Sequence, residues 1–144
     1  MSAAFSKTLV LLQMALLVIL AATTPLRAAP VSIFVMTSGG LLGIWALIVM
    51  RLRRLRIMPE VHPDAVLVMR GPYRRVRHPM YTAVLVFAAG MVSMHPTPER
   101  IALFLFLAVV MIAKLLREER FLMAAFPEYA AYQKTTKRLV PFFW

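Results

Sequence analysis

No cysteine occurs in the sequence, which excludes disulfides, thiolate metal sites and cysteine nucleophiles. Acidic residues are also scarce: six stand against seventeen lysines and arginines, leaving a formal charge of +11. A surplus of that sign suits nucleic acid or anionic lipid, but the groove-reading and base-stacking modules of nucleic-acid binders are missing, so no nucleic-acid partner is expected. Polar side chains are sparse where a soluble helix would need them. Leu9 to Ala22 contain only Gln13 as a clearly polar residue, which leaves no water-facing stripe. His62 and His95 each sit beside a proline in separate loops, and no metal site is expected from them.

What is present is apolar sequence: 61% of the residues are hydrophobic, and the mean hydropathy is +0.75. Four apolar segments stand out, at Phe5 to Ala22, Val31 to Met50, Met80 to Met94 and Ile101 to Leu116. Each approaches the roughly 20 residues that cross the hydrocarbon layer, the third being short. Proline-bearing turns, "TTPLRAAP" and "HPTPER", close the first and last pairs into tight hairpins. The N-terminal run is read as a span rather than a secretory signal, because it is long and only Lys7 precedes its apolar core. Fifteen of the seventeen basic residues then fall on one side, with Arg27 and Arg100 alone in the two short connections. The positive-inside rule places both termini and the long central loop in the cytoplasm. The expected fold is all-α: one polytopic membrane domain of about four transmembrane helices with a cytoplasmic, amphipathic C-terminal helical segment. Residues 1–50 form an N-terminal hairpin, 51–79 a basic loop, and 80–144 a second hairpin and tail. Gly39 and Gly43, spaced GxxxG in the second span, predict a close helix–helix approach.

Two constellations fall on the predicted cytoplasmic face. In "GPYRRVRHPMY", from Gly71 to Tyr81, Gly71-Pro72 marks a turn, and Pro79 holds His78 extended while opening the next helix. Unpaired backbone N–H groups at such a helix start can receive an anion, with Arg77 and His78 beside it. Read by composition alone, the arginines are topology determinants. In the second constellation, Glu118 and Glu119 lie just past the fourth span, on a helix predicted to run to about Ala125 before Pro127 breaks it. Their plain reading is pairing with Arg117 or Arg120 on a solvated surface. Both groups nevertheless lie at the ends of adjacent antiparallel spans, so they can share one pocket. Such a pocket would suit a zwitterionic cofactor with a cationic centre on its water side and a greasy substrate on its lipid side.

"GPYRRVRHPMY", "REERFL" and "FPEYAAYQKTTKRLVPF" together resemble the isoprenylcysteine carboxyl methyltransferase and phospholipid methyltransferase superfamily of integral membrane enzymes. The resemblance covers roughly Arg70 to Phe143. It implies S-adenosylmethionine as cofactor, with Arg77, His78, Pro79, Tyr81, Glu118 and Glu119 lining its site. On that basis Arg77 and His78 are expected at the cofactor's carboxylate and the glutamates at its amino group or ribose hydroxyls. Glu118 or Glu119 is expected to take a proton from an amine acceptor, with Glu119 and Arg138 as the catalytic residues and Arg138, with Tyr129 or Tyr132, guiding an anionic lipid-like acceptor. The family usually has glycine where this sequence has Ala83, whose methyl is expected to crowd the cofactor. The expected activity is methylation of a lipophilic or prenylated acceptor drawn from the membrane lipids, first the isoprenylcysteine carboxylate or a related isoprenoid. Phospholipid N-methylation and a non-catalytic membrane scaffold are the alternatives.

Overall fold

The computed structural model describes residues 3–25, 29–51 and 67–141. Arg27, His62, Arg53, Arg54, Arg56 and the last three residues lie outside them, as does most of the predicted basic loop. Among the described residues five α-helices form: α1 (Ala3–Ala22), α2 (Pro30–Arg51), α3 (Pro79–Met94), α4 (Pro98–Ala125) and α5 (Tyr129–Thr135). A single 3-10 turn covers Gly71–Arg74, and the only β pairing among the described residues is one parallel bridge between Val76 and Lys137.

Prolines open three of the long helices, where a missing N–H costs nothing and the fixed φ is already helical. Thr97 caps α4, its Oγ1 accepting from the Arg100 N–H at 3.4 Å. The four long helices coincide with the four predicted apolar segments. Of these, α1 and α2 are long and apolar enough to cross a membrane, over Phe5–Ala22 and Pro30–Met50. They carry large apolar side chains on their outer surfaces, such as Leu11, Val18 and Phe34. So much exposed hydrocarbon is at home in lipid. With 16 residues α3 spans about 24 Å, short of the ~30 Å hydrocarbon layer. With 28 residues α4 reaches about 42 Å, and its last turns, rich in charge from Arg117 onward, extend past any apolar layer.

The first two helices, predicted as a hairpin, find their principal partners in the second half of the chain: α4 for α1 and α3 for α2. Small residues cause the second pairing. A Cβ on Gly39 would stand 2.6 Å from the Phe87 nitrogen and 2.9 Å from the Ala83 carbonyl oxygen, so the backbones touch where α2 crosses α3. At its other end this pair is joined by Ser93 Oγ donating to Ser32 Oγ at 2.9 Å. The main core forms where α1 lies on α3 and α4, around Leu16, Leu20, Met91, Leu107 and Met111.

One end of the bundle is closed by Arg100, only 3% exposed. Its guanidinium donates to the carbonyls of Leu20 (3.4 Å) and Met91 (2.7 Å) and to the hydroxyls of Thr23 (2.6 Å) and Thr24 (3.0 Å). A cation thereby sits at the C-terminal ends of α1 and α3, where the helix dipoles favour it. At the opposite end, the start of α1 lies beside the charged part of α4, with Lys114 Nζ donating to Gln13 Oε1 at 2.5 Å and the Arg117 guanidinium 5.4 Å from the Phe5 ring centre. The starts of α1 and α3 and the ends of α2 and α4 therefore share that end.

Candidate functional site

The shared end gathers every residue predicted for the site. Gly71, with φ +58°, makes the turn that leads the chain from α2 towards α3. After the 3-10 turn of Gly71–Arg74 the chain passes through Arg75, in the αR region, and bends at Arg77 to reach Pro79, fully buried at the first position of α3; His78, predicted to be extended, stands at φ −123°, ψ 59°. The tail after α5 lies alongside this segment: Lys137 N donates to Arg75 O (3.1 Å), Arg77 N to Lys137 O (2.7 Å), His78 N to Arg138 O (3.1 Å) and Thr82 Oγ1 to Leu139 O (2.7 Å). Residues 136–139 thus strap the approach to α3 and fix where Arg77 and His78 point.

Beneath the strap lies an ion cluster. Arg77 Nε donates to Glu119 Oε1 at 2.7 Å, and Arg138 Nε to Glu119 Oε2 at 3.0 Å, so an arginine occupies each carboxylate oxygen. Arg77 Nη1 adds bonds to the carbonyls of Thr136 (2.5 Å) and Gln133 (3.2 Å). The Arg77 and Glu119 side chains are 7% and 6% exposed, which makes this a buried pair rather than the surface contact of the plain reading. Burial alone would raise the Glu119 carboxyl, but its neighbours His78, Arg77 and Arg138 outweigh burial and hold it down at about 2.

Glu118 is different. Its side chain is 51% exposed, and the Tyr81 hydroxyl donates to its Oε1. His78 lies between the two carboxylates, with Nδ1 3.7 Å from Glu118 Oε2 and Nε2 3.6 Å from Glu119 Oε1, both beyond hydrogen-bonding distance. Its ring stacks on Tyr81 at a centroid separation of 5.5 Å, and Nε2 is buried with no hydrogen-bond partner among the described residues. Lys114 Nζ stands 5.2 Å from the Tyr81 ring centre.

Two expectations change on this geometry. The N–H groups predicted to receive an anion at the start of α3 are largely spent: Pro79 has none, and those of Tyr81 and Thr82 return to the His78 carbonyl at 3.0 and 3.1 Å. Ala83, predicted to crowd the cofactor, faces α2 instead, its Cβ 3.4 Å from where a Cβ on Gly43 would stand. Sequence reasoning also passed over Tyr73, Thr82 and Thr136. The signal for Tyr73 lay inside the quoted motif, because Gly71-Pro72 fixes the direction of the residue that follows.

An apolar crevice of about 440 Å³ opens between α1 and α2, with α3 as its floor. Met14, Leu17 and Val18 form one wall and Gly43 and Leu47 the other, and Met80 carries its lining to the residue beside Pro79. The crevice exists because α1 and α2 pack on α3 and α4 rather than on each other. A buried arginine–carboxylate cluster with an exposed glutamate at one end of an apolar bundle, next to a lipid-facing crevice, is the arrangement of a membrane-associated protein that can bring a polar ligand and a greasy one together.

The family pattern described as phospholipid methyltransferase matches residues 30–129, more than two thirds of the sequence. The chain belongs to this family, part of the superfamily of integral membrane methyltransferases that includes isoprenylcysteine carboxyl methyltransferase. Among curated proteins it is similar to the cobalt-zinc-cadmium resistance protein CzcN of Cupriavidus metallidurans (strain ATCC 43123 / DSM 2839 / NBRC 102507 / CH34), with 36% identity over 76 residues. That match takes in 52% of this chain and 35% of the relative, so the chain spans about a third of the relative's length. No solved structure matches the chain.

Proposed function

We propose that the protein transfers a methyl group from S-adenosylmethionine to an acceptor dissolved in the membrane, at the cytoplasmic end of a four-span bundle. The observation that carries this reading is the adjacency of a half-exposed carboxylate, Glu118, to an apolar crevice through Tyr81, His78 and Met80. Family members generally use S-adenosylmethionine, and the residues here fit it: a carboxylate for an amino group or ribose hydroxyls, and a buried imidazole nitrogen still lacking a partner. When bound, the cofactor supplies a sulfonium methyl, an electrophile that needs in-line approach and exclusion of water more than proton chemistry. Glu118, Tyr81 and His78 are the residues that would hold it. Glu119, Arg77 and Arg138 act as the frame that holds His78 and the strap, so Glu119 is a positioning residue rather than a proton acceptor.

The acceptor we favour is an isoprenylcysteine carboxylate or related isoprenoid, whose chain lies in the crevice. The family's own description supports phospholipid amine as the second reading. Calorimetric titration of the detergent-purified protein with S-adenosylmethionine, followed by radiolabel transfer to farnesylcysteine and to phosphatidylethanolamine, tests both. Saturable binding weakened by His78→Ala and Glu118→Gln is expected. A folded wild type that binds no cofactor would remove the reading in favour of a scaffold.

A further inference from the structure

At the site end, His78 Nε2 and the hydroxyls of Tyr73 and Tyr129 are buried with no hydrogen-bond partner among the described residues. An unsatisfied buried hydroxyl works against folding, so each calls for an explanation. The Tyr129 hydroxyl stands in the framework, where the charges of Glu119 and Arg77 act on it. Tyr73 is placed differently.

Its backbone is committed on both sides, with its N–H donating to Arg70 O at 3.2 Å and its carbonyl accepting the Tyr132 hydroxyl. Its ring packs among Ala46, Val68 and Met80. Only the hydroxyl is left over. Met80, against which the ring packs, also lines the crevice, and the Glu118 charge acts on the phenol, so Tyr73 lies behind the crevice wall on the side of the polar end. Burial, reinforced by the Glu118 charge, pushes the phenol up to about 12, which keeps it a neutral donor at physiological pH. Glu118 is the half-exposed side chain of this group, held by the Tyr81 hydroxyl, and the Lys114 ammonium near Tyr81 offsets its charge.

Resting on the methyltransferase reading, we propose that Tyr73 is an acceptor-contacting residue, its hydroxyl donating a hydrogen bond to an anionic oxygen of the acceptor headgroup whose chain lies in the crevice. Carboxylate and phosphate oxygens share this chemistry. The contact orients the headgroup relative to Tyr81 and Glu118 and discriminates against neutral lipids of the same chain.

Tyr73→Phe is the test, because it keeps the ring and deletes only a hydroxyl that holds nothing in the fold. Its melting temperature in detergent is expected to equal or exceed that of wild type. Binding is then titrated in mixed micelles, without turnover, for two pairs: N-acetylfarnesylcysteine against its methyl ester, and phosphatidylethanolamine against diacylglycerol of the same chains. Wild type is expected to favour the anionic-oxygen member of one pair by about tenfold, as a hydrogen bond to a charged group provides, and the pair that responds identifies the source. Tyr73→Phe is expected to lose that preference with cofactor affinity unchanged. A variant that keeps the preference, a wild type that shows none in either pair, or a variant that loses cofactor affinity alone would each overturn the assignment. Failure of wild type to bind S-adenosylmethionine would instead strike the methyltransferase reading, and the lipid comparison would still decide the role of Tyr73.

Discussion

Arg77, on the bend leading into α3, and Glu119, near the end of α4, meet across 42 residues of sequence with Nε 2.7 Å from Oε1. The adjoining Glu118 faces outward, so two consecutive carboxylates divide into an inner and an outer role. Glu119→Gln leaves the buried Arg77 without its counter-charge, a loss typically worth about 3–5 kcal/mol. Thermal unfolding in detergent is expected to drop by on the order of 10 °C. Glu118→Gln should hardly change the melting temperature but should weaken S-adenosylmethionine binding. Equal destabilisation by the two substitutions would contradict this division.

The same pair sets an acid limit. The Glu119 carboxyl is held at about 2 in the folded protein, below its ordinary value of 4.5. A depressed carboxyl contributes stability that is fully present above 4.5 and lost as pH falls through 2, because the unfolded chain takes up the proton first. Melting temperature recorded from pH 6 to pH 2 should therefore fall across that window in wild type. The fall should be shallower in Glu119→Gln, and identical profiles would show that Glu119 does not carry the acid limit.

Much of this end could be read from residue order. The four apolar runs became α1 to α4, Pro79 opened α3 where proline at a first helical position predicts, and the Arg77–His78 and Glu118–Glu119 motifs meet because antiparallel helices bring the start of one beside the end of the next. Partner choice was less legible. Arg117 and Arg120 are nearer to Glu119 in sequence than Arg77 or Arg138, yet helix direction turns Glu119 inward, and only the strap of residues 136–139, a tertiary feature with no periodicity of its own, delivers Arg138 to it. Hairpin logic likewise paired α1 with α2 by connection length, whereas the small-residue surface around Gly39 committed α2 to α3.

That surface gives a matched pair of substitutions on adjacent residues. In Gly39→Ala the new methyl meets the backbone of α3 at Phe87 N, 2.6 Å away, and cannot be relieved by a rotamer change. Gly40→Ala meets nothing within 4 Å and gains the better helix propensity of alanine, roughly 1 kcal/mol. Melting curves should show Gly39→Ala clearly below wild type and Gly40→Ala at or above it. The reverse order would mean that α2 and α3 do not cross at Gly39.

Arg100 closes the end of the bundle remote from the site and invites a separation of stability from binding. Its planar fork serves four acceptors at once, on the last turn of α1, the two threonines after it, and α3 near its end. A lysine has the charge but not the fork, so it can satisfy only part of this set. Arg100→Met removes charge and donors together and leaves two helix C-termini uncovered in a buried place, which should cost more than Arg100→Lys. The expected order of melting temperature is wild type, then Arg100→Lys, then Arg100→Met. Nineteen residues of α4 separate Arg100 from Glu119, about 28 Å along the helix axis. In whatever fraction stays folded at low temperature, S-adenosylmethionine affinity should therefore remain within about twofold of wild type, since distant sites without shared partners act independently. A large loss of affinity in folded Arg100→Lys would mean that the two ends are coupled through the α1–α3–α4 core, and that the clamp sets the geometry of the site as well as the stability of the bundle.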